Sequence, residues 1–381
     1  MGGAIGMGVA KALSSTRRET LVLTAAGAGA GLAAAFNAPL SGLVFVIEEL
    51  QRDFRPNVFS AAFVAAASAD IVTRVVAGQQ PVYAIPAYQA TPLSLLPVFL
   101  IVGVAAGLLG VGFNRSLLGA LKFFSRMPSP KIFVATGIVG ASIGAIAFLM
   151  PESVGGGHTI VNSALGTTEH VSSVPGLLVL RFVMTIGSYG TGVAGGIFAP
   201  LLALGALLGR GIGDVTSLLL PNVAFHPGVF GVVGMAALFT GIVRAPLTGI
   251  VLIVEMTASY SQMLPLLVAC FAAYATAEAL RDLPIYEALL QRDLLKGGTT
   301  LNEQEPIVLE IEIQPGSPFD GKEVKALGLP SGVVLVQCVD GEREFVPKAN
   351  TLLAAHQRLT AIISADSEGG EAAFRHGCES E

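Results

Sequence analysis

Apolar stretches broken by short polar or Gly- and Pro-bearing joints fill the first three quarters of the chain. They cover residues 21–36, 39–50, 58–76, 95–113, 132–150, 174–186, 197–208, 229–239, 245–256 and 263–280. Each reads as a helix. About 20 apolar residues are needed to cross a bilayer core, yet several of these stretches are far shorter. Broken helices survive at membrane depth only when buried in protein or lining a cavity. That pattern predicts a transporter with a midplane site rather than a bundle of simple spans. Beyond about Gly298 the period changes. Residues 307–313 alternate as a half-buried strand does, and Pro315-Gly316-Ser317-Pro318 marks a turn. Residues 333–339 and 343–346, around Asp340-Gly341, predict a hairpin, and 359–364 a last strand. Residues 366–381, rich in Gly, Ser and Glu, are expected to be a disordered end.

An internal repeat sharpens the architecture. Ala38-Pro39-Leu40-Ser41-Gly42 and the apolar run to Glu48 recur 207 residues later as Ala245-Pro246-Leu247-Thr248-Gly249 and the run to Glu255. Gly27 falls on Gly234 in the same register, and Gly2, Gly6 and Gly8 fall on Gly205, Gly209 and Gly211 at a spacing of 203. Two halves of this kind suggest inverted repeats around a central substrate site.

Composition agrees with two media. Hydrophobic residues make up 52% of the chain and charged residues 13%, about half the charged share of an ordinary soluble domain. From Leu301 onward acidic residues outnumber basic ones, so an acidic soluble tail follows a membrane part. Many of the 46 glycines lie inside apolar stretches, where small residues let membrane helices approach. Cys270, Cys338 and Cys378 are too scattered for a disulfide framework or a metal set.

Three places carry candidate chemistry. Gly192-Val193-Ala194-Gly195-Gly196-Ile197-Phe198-Ala199-Pro200 opens an apolar helix, whose free N–H groups and positive dipole end suit an anion. Glu48-Glu49 ends an apolar stretch; such a residue is either a proton relay or a solvated terminus paired with Arg52. Tyr286, after Pro284, starts a last short helix, where a phenol either donates to a bound anion or anchors the chain at the interface. Gly155-Gly156-Gly157-His158 lacks the Lys and the preceding strand of a phosphate loop and reads as a bend. No nucleophile–base or metal constellation emerges, so the chain reads as a non-enzyme without cofactor or metal.

At these residues the sequence resembles the CLC family of chloride channels and chloride–proton exchangers. The resemblance rests on the run from Gly27 to Gly42 leading into Ile47-Glu48-Glu49, then on Gly155-Gly156-Gly157 and Gly195-Gly196-Ile197-Phe198-Ala199-Pro200. It continues through Arg244 to Gly249 with Glu255-Met256-Thr257, and Pro284-Ile285-Tyr286. It implies an all-α integral membrane protein built as an inverted repeat of broken, tilted helices, forming a homodimer with one anion path per subunit in the cell membrane. It also implies an anion held at Gly196, Ile197 and Phe198 beside the Tyr286 hydroxyl, and Glu49 as an internal proton-transfer group. Residues 307–364 resemble the small C-terminal lobe of RCK (TrkA-C) regulatory domains, implying a small α+β cytoplasmic domain that takes a small-molecule ligand or dimerises. The expected divisions are 1–298, 302–365 and 366–381. The family's two other anion loops, Gly-Ser-Gly-Ile-Pro and Gly-Arg-Glu-Gly-Pro, are not in this sequence. The repeat spacing would put the second just before Met1, so the first helices are expected to be missing. Three functions follow: exchange of chloride or a similar small anion for protons; a passive anion channel; or a truncated, non-transporting fragment that only dimerises or displays the lobe. Lipid, chloride and protons are the expected partners, and nucleic acid is not.

Overall fold

The computed structural model describes residues 1–52, 54, 56–83, 85–86, 88–166, 174–193, 195–296, 307–341, 343–364, 367 and 369–379. The chain divides into two compact units, Met1–Gln291 and Arg292–Glu381. The expected division between 298 and 302 lies outside the described residues.

Among the described residues the first unit holds helices and no strand. Its helices are α1 (Gly2–Ala12), α2 (Arg17–Phe36), α3 (Pro39–Phe45, continued by a π-helical turn Val46–Gln51), α4 (Pro56–Ala77), α5 (Leu96–Ser125) and α6 (Ser129–Leu149). Then come α7 (His158–Leu165), α8 (Val174–Gly190), α9 (Phe198–Leu219), α10 (Pro227–Val243), α11 (Pro246–Thr257), α12 (Met263–Ala279) and α13 (Ile285–Lys296), which runs across the boundary between the units. Among the described residues five helical stretches are long and apolar enough to cross a bilayer: Arg17–Phe36, Pro56–Ala77, Leu93–Ser125, Pro130–Leu149 and Phe198–Leu219. By contrast α11, at 12 residues, reaches about 18 Å at 1.5 Å per residue, short of a hydrocarbon core of about 30 Å. From Gly228 to Val243 every residue of α10 is buried, as a helix apolar on all sides must be when it sits inside the protein. Among its described side chains the apolar α6 has none buried, so it presents them outward.

The sequence repeat is a structural repeat. Asn37 and Arg244, 207 residues apart, both take left-handed backbone (φ 50° and 70°) and end α2 and α10. Ala38 and Ala245 then cap α3 and α11, each with Pro in the first turn. The repeated glycines explain the packing. A Cβ on Gly2 or Gly6 would run into the backbone of α2 at Gly27 or Leu23, and one on Gly205 or Gly209 into α10 at Gly234 or Phe230. Thus α1 lies on α2 as α9 lies on α10, backbone against backbone.

The second unit holds an antiparallel sheet of β1 (Ile307–Glu312), β2 (Val333–Asp340), β3 (Arg343–Phe345) and β4 (Arg358–Ile363), in the order β1-β4-β2-β3. The hairpin stands where Asp340-Gly341 predicted it, with Asp340 opposite Arg343 and Gly341 at φ 62°. Leu359, Ala361 and Ile363 point from β4 into a core shared with Cys338, Ile313 and Phe319. The expected disordered end is corrected: α14 (Gly370–Cys378) closes this core with Phe374 and Cys378. Gly370, Phe374 and Cys378 fall four apart, hence on one helical stripe, and Glu371 pairs with Arg375 at 3.0 Å on the exposed side.

Candidate anion and proton site

The glycine-rich loop delivers α9 as its composition suggests. Gly192 takes a positive φ of 81°, Ile197 is the buried N-cap residue, and Phe198 opens the helix. The Ile197 carbonyl accepts the first helical bond from Leu201 N–H at 3.0 Å, so the N–H groups of the first turn have no partner within the helix. Nothing lies within 4 Å of where a Cβ on Gly196 would stand. Gly195 and Gly196 line a cavity of about 280 Å³ together with Gly155, Arg181 and Tyr189. The Phe198 ring is fixed between Phe36 (4.7 Å) and Phe239 (4.9 Å), one from each half of the repeat. Ala194 lies outside the described residues.

Tyr286 is set by the turn before it. Asn114, wholly buried in α5, donates to the Asp282 carboxylate (2.9 Å) and the Leu283 carbonyl (3.2 Å), while Arg244 donates to the Asp282 carbonyl (3.0 Å). This turn starts α13 with Ile285 inside the core and Tyr286 edge-on to Phe45 at 6.4 Å. Glu49 and Tyr189 are the electrostatic neighbours of Tyr286. Tyr189 also lines the cavity at Gly196.

Glu49 is buried, 9% exposed, within the π-helical turn that extends α3. Arg52, Glu48 and Glu287 are its electrostatic neighbours. Arg52, left-handed at φ 50°, ends the turn and pairs with Glu287 at 3.2 Å. A solvated Glu49 terminus is therefore not what the fold presents. The Arg52–Glu287 pair instead ties the turn of Glu49 to the helix of Tyr286. Asp53 and Arg55 fall outside the described residues.

Glu48 points elsewhere. Its carboxylate accepts the N–H groups of Leu247 (3.0 Å) and Thr248 (2.7 Å) and the Thr248 hydroxyl (2.7 Å). Glu255, its repeat counterpart, accepts the N–H groups of Leu40 (3.0 Å) and Ser41 (2.8 Å) and the Ser41 hydroxyl (2.6 Å). A carboxylate near the end of each short helix thus caps the start of the other. That is possible only when α3 and α11 run antiparallel, as the two halves of an inverted repeat do.

Comparison with known proteins supplies the lineage. Residues 1–278 match the family described as voltage gated chloride channel. The chain belongs to that family. Residues 308–368 match the TrkA-C domain. Two curated relatives are H(+)/Cl(-) exchange transporters named ClcA. The one from Vibrio parahaemolyticus is 40% identical over 300 residues, and the one from Vibrio cholerae 41% identical over 308; each match covers 77% of this chain and 64% of the relative. This chain therefore spans less than two thirds of their length. A solved slow cyanobacterial Cl-/H+ antiporter superposes with a TM-score of 0.73 at 36% identity, covering 78% of this chain and 71% of that one. A CLC-type fluoride/proton antiporter shares the fold at TM-score 0.61 and 20% identity, over 73% and 69% of the two chains. Family membership and the five spanning helices make this voltage-gated chloride channel family chain an integral membrane protein.

Sequence reasoning overlooked Tyr189, Arg181 and the crossed capping by Glu48 and Glu255. Arg181, 4% exposed, donates to the carbonyls of Ser153 (2.9 Å) and Gly155 and so holds the expected bend, where Gly155 and Gly157 take positive φ. Ser188-Tyr189-Gly190-Thr191, a polar run closing an apolar helix just before the glycine loop, is the signal that would have found Tyr189.

Proposed function

We propose that this protein moves chloride, or a similar small anion, in exchange for protons. The observation that carries this reading is the buried Glu49, whose turn is tied to the Tyr286 helix by the Arg52–Glu287 pair. In this reading the N–H groups of Ile197 and Phe198, with Gly196 giving backbone access, hold the anion, and the Tyr286 hydroxyl donates to it. Partial charges at a helix start bind an anion loosely enough for it to leave, as conduction requires. Glu49 takes up and releases protons, the task that an ionisable group at membrane depth commonly serves. The printed functions of the Vibrio relatives and of the cyanobacterial antiporter support the same exchange.

The protein works as a homodimer with one path per subunit. The TrkA-C domain lies on the cytoplasmic side and answers to a small-molecule ligand or to its own pairing. Reconstitution into liposomes tests the reading: a chloride gradient should drive protons uphill, and Glu49→Gln should abolish the proton movement while chloride still passes. Chloride passing without protons, unchanged by that substitution, overturns exchange in favour of a passive channel. No chloride movement at all identifies a chain that only dimerises or displays its lobe.

A further inference from the structure

We propose that Glu255 and Glu48 are positioning residues for Glu49, which they serve by clamping both ends of its segment to α11. The inference rests on the reading of Glu49 as a proton-carrying group. Glu49 lies in the continuous helical run formed by α3 and its π-helical turn. At the start of that run Glu255 holds Leu40 and Ser41; near its end Glu48 holds Leu247 and Thr248. Six hydrogen bonds of 2.6–3.0 Å thus span the two repeats, and the residues donating hydroxyls, Ser41 and Thr248, are wholly buried. A π-helical turn widens the helix and re-aims its side chains, so a small rotation of this segment would re-aim the buried Glu49.

The repeat separates the duties of the two adjacent glutamates. The counterpart of Glu48 is Glu255, another cap. The counterpart of Glu49 is Met256, an apolar side chain with no exposure. Capping therefore belongs to the frame shared by both halves, whereas a carboxyl in the next position belongs to one half only. Through α3, Glu255 is assigned to the proton site although 206 residues separate it from Glu49.

The test reads the protonation of Glu49 directly. In the full chain, labelled with carbon-13 glutamate, the infrared carboxyl band that Glu49→Gln removes is followed against pH. Arg52, Glu48, Glu287 and Tyr286 are the electrostatic neighbours of Glu49, and α2 brings Arg18 and Glu19 to the cavity that Gln51 lines; none of these is altered. Glu255→Gln should move the midpoint by about half a pH unit or more and lower the proton-to-chloride ratio in liposomes severalfold. Ser41→Ala and Thr248→Ala remove one bond each and should move the midpoint the same way by less, which keeps the test decisive if a glutamine variant fails to fold. An unchanged midpoint in all folded variants overturns the clamp. If Glu49→Gln leaves proton movement intact, the exchange reading falls, while the titration still decides the clamp.

Discussion

Glu49 and Tyr286 share a neighbourhood that neither their spacing nor their chemistry announces. One hydroxyl is what separates Tyr286 from phenylalanine, and a hydrogen bond to a charged partner contributes about 1.5–3 kcal/mol. Tyr286→Phe should therefore weaken chloride binding by roughly tenfold or more, measurable by calorimetry on purified protein, with the fold unchanged because the ring still meets Phe45. In the TrkA-C domain, burial pushes the Cys378 thiol up to about 12, and the Cys338 thiol moves in the same direction. An unfolded chain loses these protons from about pH 8.5, whereas the folded domain keeps them. Stability is thus fully present below that pH and falls as pH rises from there towards the folded value. The denaturation midpoint of the domain should be lower at pH 10 than at pH 7.5, and Cys378→Ala should flatten the difference.

At the scale of elements, the two glycine-lined helix pairs set how closely helices pack within each half. A Cβ at Gly209 meets the Phe230 carbonyl of α10, backbone that cannot step aside as a side chain can. Overpacking in a core costs about 1–3 kcal/mol and occasionally more. Gly209→Val should accordingly lower the melting temperature in detergent, or abolish the folded peak in gel filtration. The same substitution at Gly112, where a Cβ meets nothing within 4 Å, should leave both unchanged. These elements were largely legible in the sequence, because the repeat kept Pro, Gly and Glu in register and apolar runs mark helices wherever packing is close. Three helices were not: α1 (Gly2–Ala12) precedes the first stretch read as a helix, its glycines having been read only as repeat positions. At eight residues, α7 is too short to show a period, and it begins inside what reads as a glycine bend. The polar composition of α14 hides a stripe that only Phe374 and Cys378 define. The crossed caps were illegible for another reason: Glu48 and Glu255 look like ordinary helix ends until folding brings partners 199–215 residues away.

At the scale of the whole molecule, the TrkA-C domain carries its own core, in which Ile313, Phe319, Leu353, Phe374 and Cys378 are buried together. Residues 307–379, made alone, should show a single cooperative unfolding transition by circular dichroism. Replacing a large aromatic by alanine in a core costs about 3–5 kcal/mol, enough to unfold most domains of this size. Phe374→Ala should therefore remove the transition, which a disordered end would not do. The helical unit is interlocked in a different way. Ser41 receives its carboxylate from a residue 214 positions further along the chain. At roughly 5–20 residues per second of synthesis, the start of α3 waits about 10–40 s after emerging before Glu255 exists at all. The first half cannot be finished ahead of the second, so a ribosome stalled between them leaves a membrane-inserted half with its helix starts bare, a natural target for quality-control proteolysis.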